Sequence, residues 1–197
     1  MLLVENIGEI RNVADNLSDE DFLAFCVANP NLRIERDKNR NVIIMPPLTY
    51  ESSFYENEAS FQLTVWNKKH QLGVTFGSSA GFTLPDGSIK SPDAAWVSLN
   101  QHNLLNAKQR KSFPLLIPEF IVEVRSKTDS LVALQTKMEE WIANGVLLAW
   151  LIDTTQQKAY IYRADGSTTQ IDDFNQTLSG ENVLPEFTFD LNALQMP

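Results

Sequence analysis

The sequence predicts an α/β protein of the mixed α+β type, with a central mixed β-sheet flanked by helices and an N-terminal helix and β-hairpin. Helical and strand-like segments alternate along the chain, in the order helix, hairpin, helix, several strands, helix, strands. A strand at 121–125, a helix at 129–144 and a strand at 146–153 form a βαβ unit, which requires a parallel, right-handed connection. The 197 residues, 43% of them hydrophobic, are enough for a single domain, 1–197, with a substantial core.

Residues 18–50 predict a helix followed by a hairpin. Ser18 can cap a helix whose first turn is acidic, and Asn29-Pro30 should end that helix. Two short runs, LRIER at 32–36 and NVIIM at 41–45, are joined by a polar turn, which is typical of a β-hairpin.

The middle of the chain, residues 51–163, predicts the central sheet and the helices on it. A second helix is expected at 52–68, and a third at 129–144, with Asp129 placed to cap it and Gly145 just past its end. The predicted strands are 74–76, 81–84, 93–99, 121–125, 146–153 and 158–163. The remainder, 164–197, is acidic and is expected to form polar strands.

Three acidic residues from three different predicted elements fall at interior positions. On a helical wheel of the second helix, centred on Phe54, Glu58 lies inside the apolar arc. Glu123 belongs to a strand so apolar that it should be covered on both faces, and Asp93 directly precedes another apolar strand. Carboxylates gathered in one place repel one another unless they are protonated or bind a hard cation such as Mg²⁺ or Mn²⁺. For each acid alone, a structural ion pair is the competing interpretation.

A lysine could stand beside these acids. Lys137 and Gln135 lie at the two edges of the apolar stripe of the third predicted helix. Because that helix follows Glu123 directly, both side chains could lean towards the strand. The competing interpretation of Lys137 is a surface lysine whose aliphatic stem lies along the apolar stripe.

Pro92-Asp93 lies 30 residues before Glu123, and a lysine-bearing helix follows. This arrangement resembles the PD-(D/E)XK nuclease superfamily, and the chain resembles more closely the Uma-type family of restriction-endonuclease-like proteins. Three collinear segments, which cover most of residues 22–153, carry the resemblance: FLAFCVANPNLRIERDKNRNVIIMPP, WNKKHQLGVTFGSSAGFTLPDGSIKSPDAAWVS and PEFIVEVRSKTDSLVALQTKMEEWIANGVLLAWLID. It implies a restriction-endonuclease-like core with a site for Mg²⁺ or Mn²⁺.

The resemblance also implies roles for individual residues. Asp93 matches the first metal-binding acid, Glu123 matches the acid of the second half-motif, and Glu58 matches a carboxylate that the superfamily often supplies from an early helix. The lysine of the motif would stand two residues after Glu123, where this chain has Arg125. In such cases the lysine is placed on the following helix, which fits Lys137.

A second candidate for the displaced lysine is Lys127, and Gln135 and Arg125 are expected to support the site. The implied activity is a divalent-metal-dependent endonuclease that hydrolyses phosphodiester bonds of nucleic acid, with DNA favoured. Candidate contacts to the nucleic-acid backbone, besides Arg125 and Lys127, are Lys68, Lys69, Lys108, Arg110 and Lys111.

Two other functions stay open. The chain could have kept the nuclease fold and lost the activity, which would make it a catalytically inactive interaction or regulatory module. A hydrolase of another phosphate ester would need a closed small-molecule pocket in place of a long open groove.

Composition excludes several classes of protein. The net charge of −9 argues against a general nucleic-acid coat protein, although residues 61–127 carry 8 basic and 4 acidic residues. The single Cys26 excludes an internal disulfide and a thiolate zinc site. No apolar run reaches the roughly 20 residues that span a membrane, and the first residues lack a basic signal-peptide region, so we expect a cytoplasmic protein. A homodimer is the default assembly.

Overall fold

The computed structural model describes residues 17–196, in which helices and strands alternate in the predicted order. Residues 1–16 and 197, which the predicted single domain also includes, lie outside the described residues. The helices are α1 (Asp19–Ala28), α2 (Tyr50–His70), α3 (Leu99–His102) and α4 (Leu131–Ala143), with short 3₁₀ helices at Gln109–Lys111 and Leu191–Leu194. The strands are β1 (Arg33–Arg36), β2 (Val42–Met45), β3 (Gly73–Gly77), β4 (Phe82–Thr83), β5 (Ile89–Lys90), β6 (Ala94–Ser98), β7 (Phe120–Arg125), β8 (Leu148–Asp153), β9 (Lys158–Arg163), β10 (Thr168–Ile171), β11 (Thr177–Ser179) and β12 (Thr188–Asp190).

A six-stranded mixed sheet forms the centre, in the order β10-β9-β8-β7-β6-β3. β7 and β8 are parallel and are joined through α4, which confirms that the predicted βαβ unit is parallel, while the other neighbours in this sheet are antiparallel. β7 therefore lies in the interior of the sheet, as its apolar sequence requires.

The two faces of this sheet are covered by different elements. α4 packs on one face through Met138 and Trp141, which are fully buried. α2 covers the other face together with the C-terminal strands β11 and β12. The C-terminal region was expected to be polar, yet Phe187 stacks on Trp150 of β8, with ring centroids 5.6 Å apart. The acidic residues of this region face outward, and its aromatic side chains complete the core.

A second, four-stranded sheet has the order β2-β1-β5-β4. The predicted hairpin is confirmed as the antiparallel pair β1–β2, and α1 packs against it through Phe22 and Phe25. β5 was not predicted, because two residues are too few to show a period. Arg36 pairs with Ile89 across β1 and β5, which brings the hairpin to the start of β6.

The predicted cap of α4 is wrong by one residue. The hydroxyl of Ser130 accepts the backbone N–H of Ala133, whereas the Asp129 carboxylate accepts the backbone N–H of Ser126 and closes the preceding turn. Gly145 takes a φ of +106° just past the helix end, as predicted. No helix among residues 17–196 is long and apolar enough to cross a membrane, and the predicted cytoplasmic location stays a prediction.

Candidate active site

Asp93 and Glu123 lie at neighbouring positions on two central strands. The pairing of Ala94 with Val122 sets Asp93, just before β6, beside Glu123 near the end of β7. Both carboxylates are buried, with 7% and 4% of the residue exposed. The backbone N–H of Val124 donates to Asp93 Oδ2 at 2.7 Å, and this bond fixes the Asp93 side chain against β7. The structure thus brings these two predicted acids together.

Lys137 reaches the same place from α4. Its Nζ lies 2.9 Å from Glu123 Oε1, to which the indole N–H of Trp141 also donates at 3.0 Å. Residues 137 and 141 are one helical turn apart, so both side chains point from α4 to β7. Burial lowers the pKa of Lys137, but the Glu123 and Glu35 carboxylates outweigh burial and raise this pKa above its ordinary value. Lys137 is therefore a fixed cation and not a snorkelling surface lysine.

Glu35, from β1, is a member of the site that the sequence reasoning missed. Its Oε1 lies 3.2 Å from Lys137 Nζ and accepts the backbone N–H of Ser91 at 2.9 Å. Glu35 is 5% exposed. The available signal was the composition of β1, in which three of four residues are charged, too many for an ordinary hairpin strand with one face on the core.

The carboxylate that α2 contributes is Glu56, and the placement predicted for Glu58 is wrong. The buried face of α2 runs through Ser52, Glu56, Ala59, Leu63 and Trp66. The wheel was centred on Phe54 and its apolar neighbours Phe61 and Val65, but these two are 58% and 51% exposed. Glu58 is half-buried elsewhere on α2, where its Oε1 accepts from the side-chain amide of Gln62.

Arg33, also unpredicted, links Glu56 to Asp93. Its Nη1 lies 3.3 Å from Glu56 Oε1 and its Nη2 lies 3.5 Å from Asp93 Oδ1. Burial lowers the pKa of Arg33, and the two carboxylates more than reverse that effect. The Nε of Arg33 is buried and has no hydrogen-bond partner among the described residues.

The site therefore holds four carboxylates and two cations. Burial, followed by the charges of Glu123 and Glu56, raises the pKa of Asp93 well above its ordinary value. Burial also raises the pKa of Glu123, although Lys137 opposes this. Within residues 17–196, no three His, Cys, Asp or Glu side chains stand close enough to hold a metal ion between them. The acids are instead divided between Arg33 and Lys137.

The other predicted members of the site lie at its margin. Arg125 donates to Asp153 Oδ2 at 2.7 Å and is part of a buried ion pair between β7 and β8. Lys127 is exposed and pairs with Glu51 at 2.7 Å. Gln135 is two residues from Lys137, about 200° around α4, and does not line the cavity at the acids.

Two of the predicted backbone-binding cations, Lys68 and Lys69, lie at the end of the sheet opposite to the acids. Lys68 and Lys69 are in the last turn of α2, and the backbone of Leu72 just beyond them bonds to Leu99 after β6. Asp93 precedes β6, so about five residues of strand, roughly 17 Å, separate the two ends. The remaining three, in the loop after α3, are Lys108, Arg110 and Lys111.

A cavity of about 180 Å³ opens over the acids. Glu56, Asp93, Glu123 and Lys137 line it, with the segment that follows β2 and the loop that precedes α4 as walls. We call this space the central cavity. A phosphoryl group could enter it and meet carboxylates and cations together.

A mixed sheet with helices on both faces, and a carboxylate–lysine cluster at the ends of two central strands, defines a restriction-endonuclease-like protein. The chain belongs to the Uma2 family, whose model is described as "Putative restriction endonuclease" and matches residues 19–193.

Solved structures share this fold, and we describe one of them. It is described as "a putative nuclease belonging to DUF820 from Anabaena variabilis ATCC 29413". It is similar with a TM-score of 0.69 and 17% identity, over 82% of this chain and 88% of that chain. No curated protein matches this chain at a significant level.

Proposed function

We propose that this protein is a divalent-metal-dependent endonuclease that hydrolyses phosphodiester bonds of DNA. The observation that carries the proposal is the convergence on the central cavity of Asp93, which directly precedes β6, Glu123 of β7 and Lys137 of α4. Membership of the Uma2 family supports the nuclease chemistry.

The residues present fit Mg²⁺ or Mn²⁺. Burial, and after it the charge of Glu123, raises the pKa of the Asp93 carboxyl, and a cation between the two carboxylates would relieve their repulsion. Mg²⁺ in proteins is commonly held by one or two carboxylates with water and substrate phosphate as the other ligands, so a three-acid cluster is not required. Glu56 would hold a water ligand. When bound, the ion lowers the pKa of its water and neutralises phosphate charge.

The chain's own cations would stabilise the charge that develops on the phosphoryl oxygens. Glu35 and Glu123 hold Lys137 from two sides, so its Nζ needs no rearrangement to act. Arg33 lines the same central cavity, where its Nη1 lies 3.3 Å from Glu56 Oε1 and its Nη2 lies 3.5 Å from Asp93 Oδ1. Glu35 is a positioning residue in this scheme, because it touches Lys137 and not the reacting atoms.

The shape of the surface supports a polymeric substrate. A cavity of about 220 Å³ shares Thr49 and Ser126 with the central cavity on one side, and one of about 270 Å³ shares Arg33 and Ser91 with it on the other. The three cavities are neighbours in a row, which we call the groove, and the acids line the middle one. A hydrolase of a small phosphate ester would require a closed pocket instead.

Cleavage of plasmid DNA tests the proposal. The native chain is expected to nick the plasmid with Mn²⁺ or Mg²⁺ and not with EDTA, and Asp93→Asn and Lys137→Met are each expected to lose this activity. Glu58→Gln is the matched control and should cleave as the native chain does. Cleavage that persists in Asp93→Asn would contradict the proposal.

One observation favours a second candidate, a non-catalytic interaction module. Each acid of the site already has a cation partner, since Arg33 pairs with Glu56 and Asp93 while Lys137 pairs with Glu35 and Glu123. Such a network could be purely structural. Absence of both metal binding and cleavage in the folded native chain would favour this alternative.

A homodimer is also proposed. β2 is an edge strand of the four-stranded sheet, and its Ile43 and Ile44 are 43% and 41% exposed. Exposed apolar edge strands tend to pair with another chain. Sedimentation equilibrium of the native chain and of Ile44→Lys tests this proposal, and a monomeric native chain would contradict it.

A further inference from the structure

An apolar pocket of about 340 Å³ lies beyond the end of the groove. Its walls include the rings of Phe76, Phe82 and Phe113, and we call it the aromatic pocket. The 270 Å³ cavity shares Ser79 and Phe113 with this pocket and Arg33 with the central cavity. The aromatic pocket is therefore the next cavity beyond this row, and one cavity separates it from the acids.

The walls of the aromatic pocket are fixed. Thr83 Oγ1 donates to the carbonyl of Phe113 at 2.8 Å, and the backbone of Thr83 exchanges bonds with Pro114 and Leu116. A Cβ at Gly81 would lie 2.5 Å from the Phe113 ring, so glycine allows this ring to rest directly on the chain before β4. The pocket is thus formed before any ligand binds.

The charge at the aromatic pocket is positive, because Arg110 lines this pocket and no carboxylate from the described part of the chain does. Arg110 lines the pocket, and Lys108 and Lys111 stand beside it in sequence. Across residues 17–196, no carboxylate forms an ion pair with these three cations. The Arg110 Nη2 donates to the carbonyl of His102 at 3.3 Å, which directs the guanidinium while most of its N–H groups stay available.

We propose that the aromatic pocket binds an unstacked base of a single-stranded nucleic-acid substrate, with Arg110 on the adjoining phosphate; this inference rests on the proposed nuclease function. The pocket is apolar and aromatic and is lined by the cation Arg110, and a nucleotide has a flat apolar ring beside an anionic phosphate. Aromatic walls of this kind hold unpaired bases by stacking. A base inside a duplex is stacked on both faces and paired with its complement, and it enters such a pocket only when it is extruded from the duplex.

Binding of a fluorescein-labelled oligothymidylate of about a dozen nucleotides, measured by anisotropy in EDTA, tests this inference. The native chain should bind this strand more tightly than a duplex of the same length. Ala80→Phe, which fills the pocket from its wall, should weaken single-strand binding at least ~5-fold. Arg110→Gln should weaken single-strand binding. It should also reduce the slope of the logarithm of the binding constant against the logarithm of the salt concentration by about one, because one phosphate contact is lost.

Lys38→Gln is the matched control, because it removes an equal charge from an exposed position in the β1–β2 turn. Thermal unfolding of each variant confirms that it is folded. No single-strand binding by the native chain, or binding by Ala80→Phe and Arg110→Gln equal to that of Lys38→Gln, would overturn the inference.

The two proposals fail separately. Plasmid cleavage that requires Asp93, together with single-strand binding that Ala80→Phe and Arg110→Gln do not weaken, would support the nuclease function and refute the base pocket. Binding that depends on the aromatic pocket, without metal-dependent cleavage of either the plasmid or the single strand by the native chain, would support the base pocket and refute the nuclease function.

Discussion

At the scale of the residue, the ionised Asp93 carboxylate destabilises the folded state. Its carboxylate is buried beside two others, and Arg33 at 3.5 Å and one backbone N–H only partly compensate. Because folding raises its pKa, Asp93 favours the folded state when protonated, and this contribution is lost as the pH rises through the folded pKa.

Asp93→Asn should therefore raise the free energy of unfolding at pH 7 by about 1 kcal/mol, although it removes the proposed activity. The neutral amide keeps an oxygen for the Val124 N–H and no longer repels Glu123. Urea unfolding of both chains in EDTA measures the difference. A less stable variant at pH 7 would show that the Asp93 charge is fully compensated.

Glu56 and Glu58 lie two residues apart on α2, and their substitution by Gln is expected to affect DNA cleavage differently. Glu56→Gln should lower plasmid cleavage on the order of 10-fold, as loss of an outer metal partner commonly does. Glu58→Gln should leave cleavage unchanged, because the Glu58 carboxylate contacts Gln62 and not the acid cluster. The reverse pattern would restore the original assignment of Glu58.

Cys26 gives a prediction about pH. Burial raises the pKa of its thiol to about 11, so only a very small fraction is thiolate at pH 8. Alkylation by iodoacetamide at pH 8 should be on the order of a hundredfold slower in the folded chain than in urea, since thiolate is the reactive form. Equal rates in the two states would contradict this.

At the scale of the element, the sequence predicts strands with an apolar run and helices with caps. β7, β8 and α4 were predicted for this reason, and so was the burial of Glu123, because a central strand leaves its residues no exposed position. The buried face of α2 was not predicted, since Phe61 and Val65 are apolar yet exposed. The site residues on β1 were missed because the charges of this strand do not by themselves show which other element Arg33 and Glu35 meet.

The strand pair β11–β12 and the residues before β12 are part of the folded core. Phe187 is 3% exposed and contacts the rings of Trp66, Phe120 and Trp150, which come from α2, β7 and β8. Phe187→Ala should cost about 3 kcal/mol of unfolding free energy. Phe61→Ala, at an exposed position of α2, is the control and should change it by less than ~0.5 kcal/mol. Equal effects would show that the C-terminal pair packs loosely.

At the scale of the whole molecule, the site is assembled from parts far apart in the chain. Glu35, Asp93 and Lys137 are brought together by β1, β6 and α4. The sequence could indicate which acids are buried, because burial follows from local pattern. It could not indicate that Arg33 and Glu35 join them, because that depends on the packing of the four-stranded sheet against the start of β6.

The central claim is that Asp93 and Glu123 form a divalent-metal site beside Lys137. Calorimetric titration of Mn²⁺ into the native chain, Asp93→Asn, Glu123→Gln and Glu58→Gln tests it most directly, because no substrate is needed. Saturable binding by the native chain and by Glu58→Gln, lost in the other two folded variants, is the predicted result. No binding by the native chain, or binding that Asp93→Asn and Glu123→Gln retain, would contradict the claim.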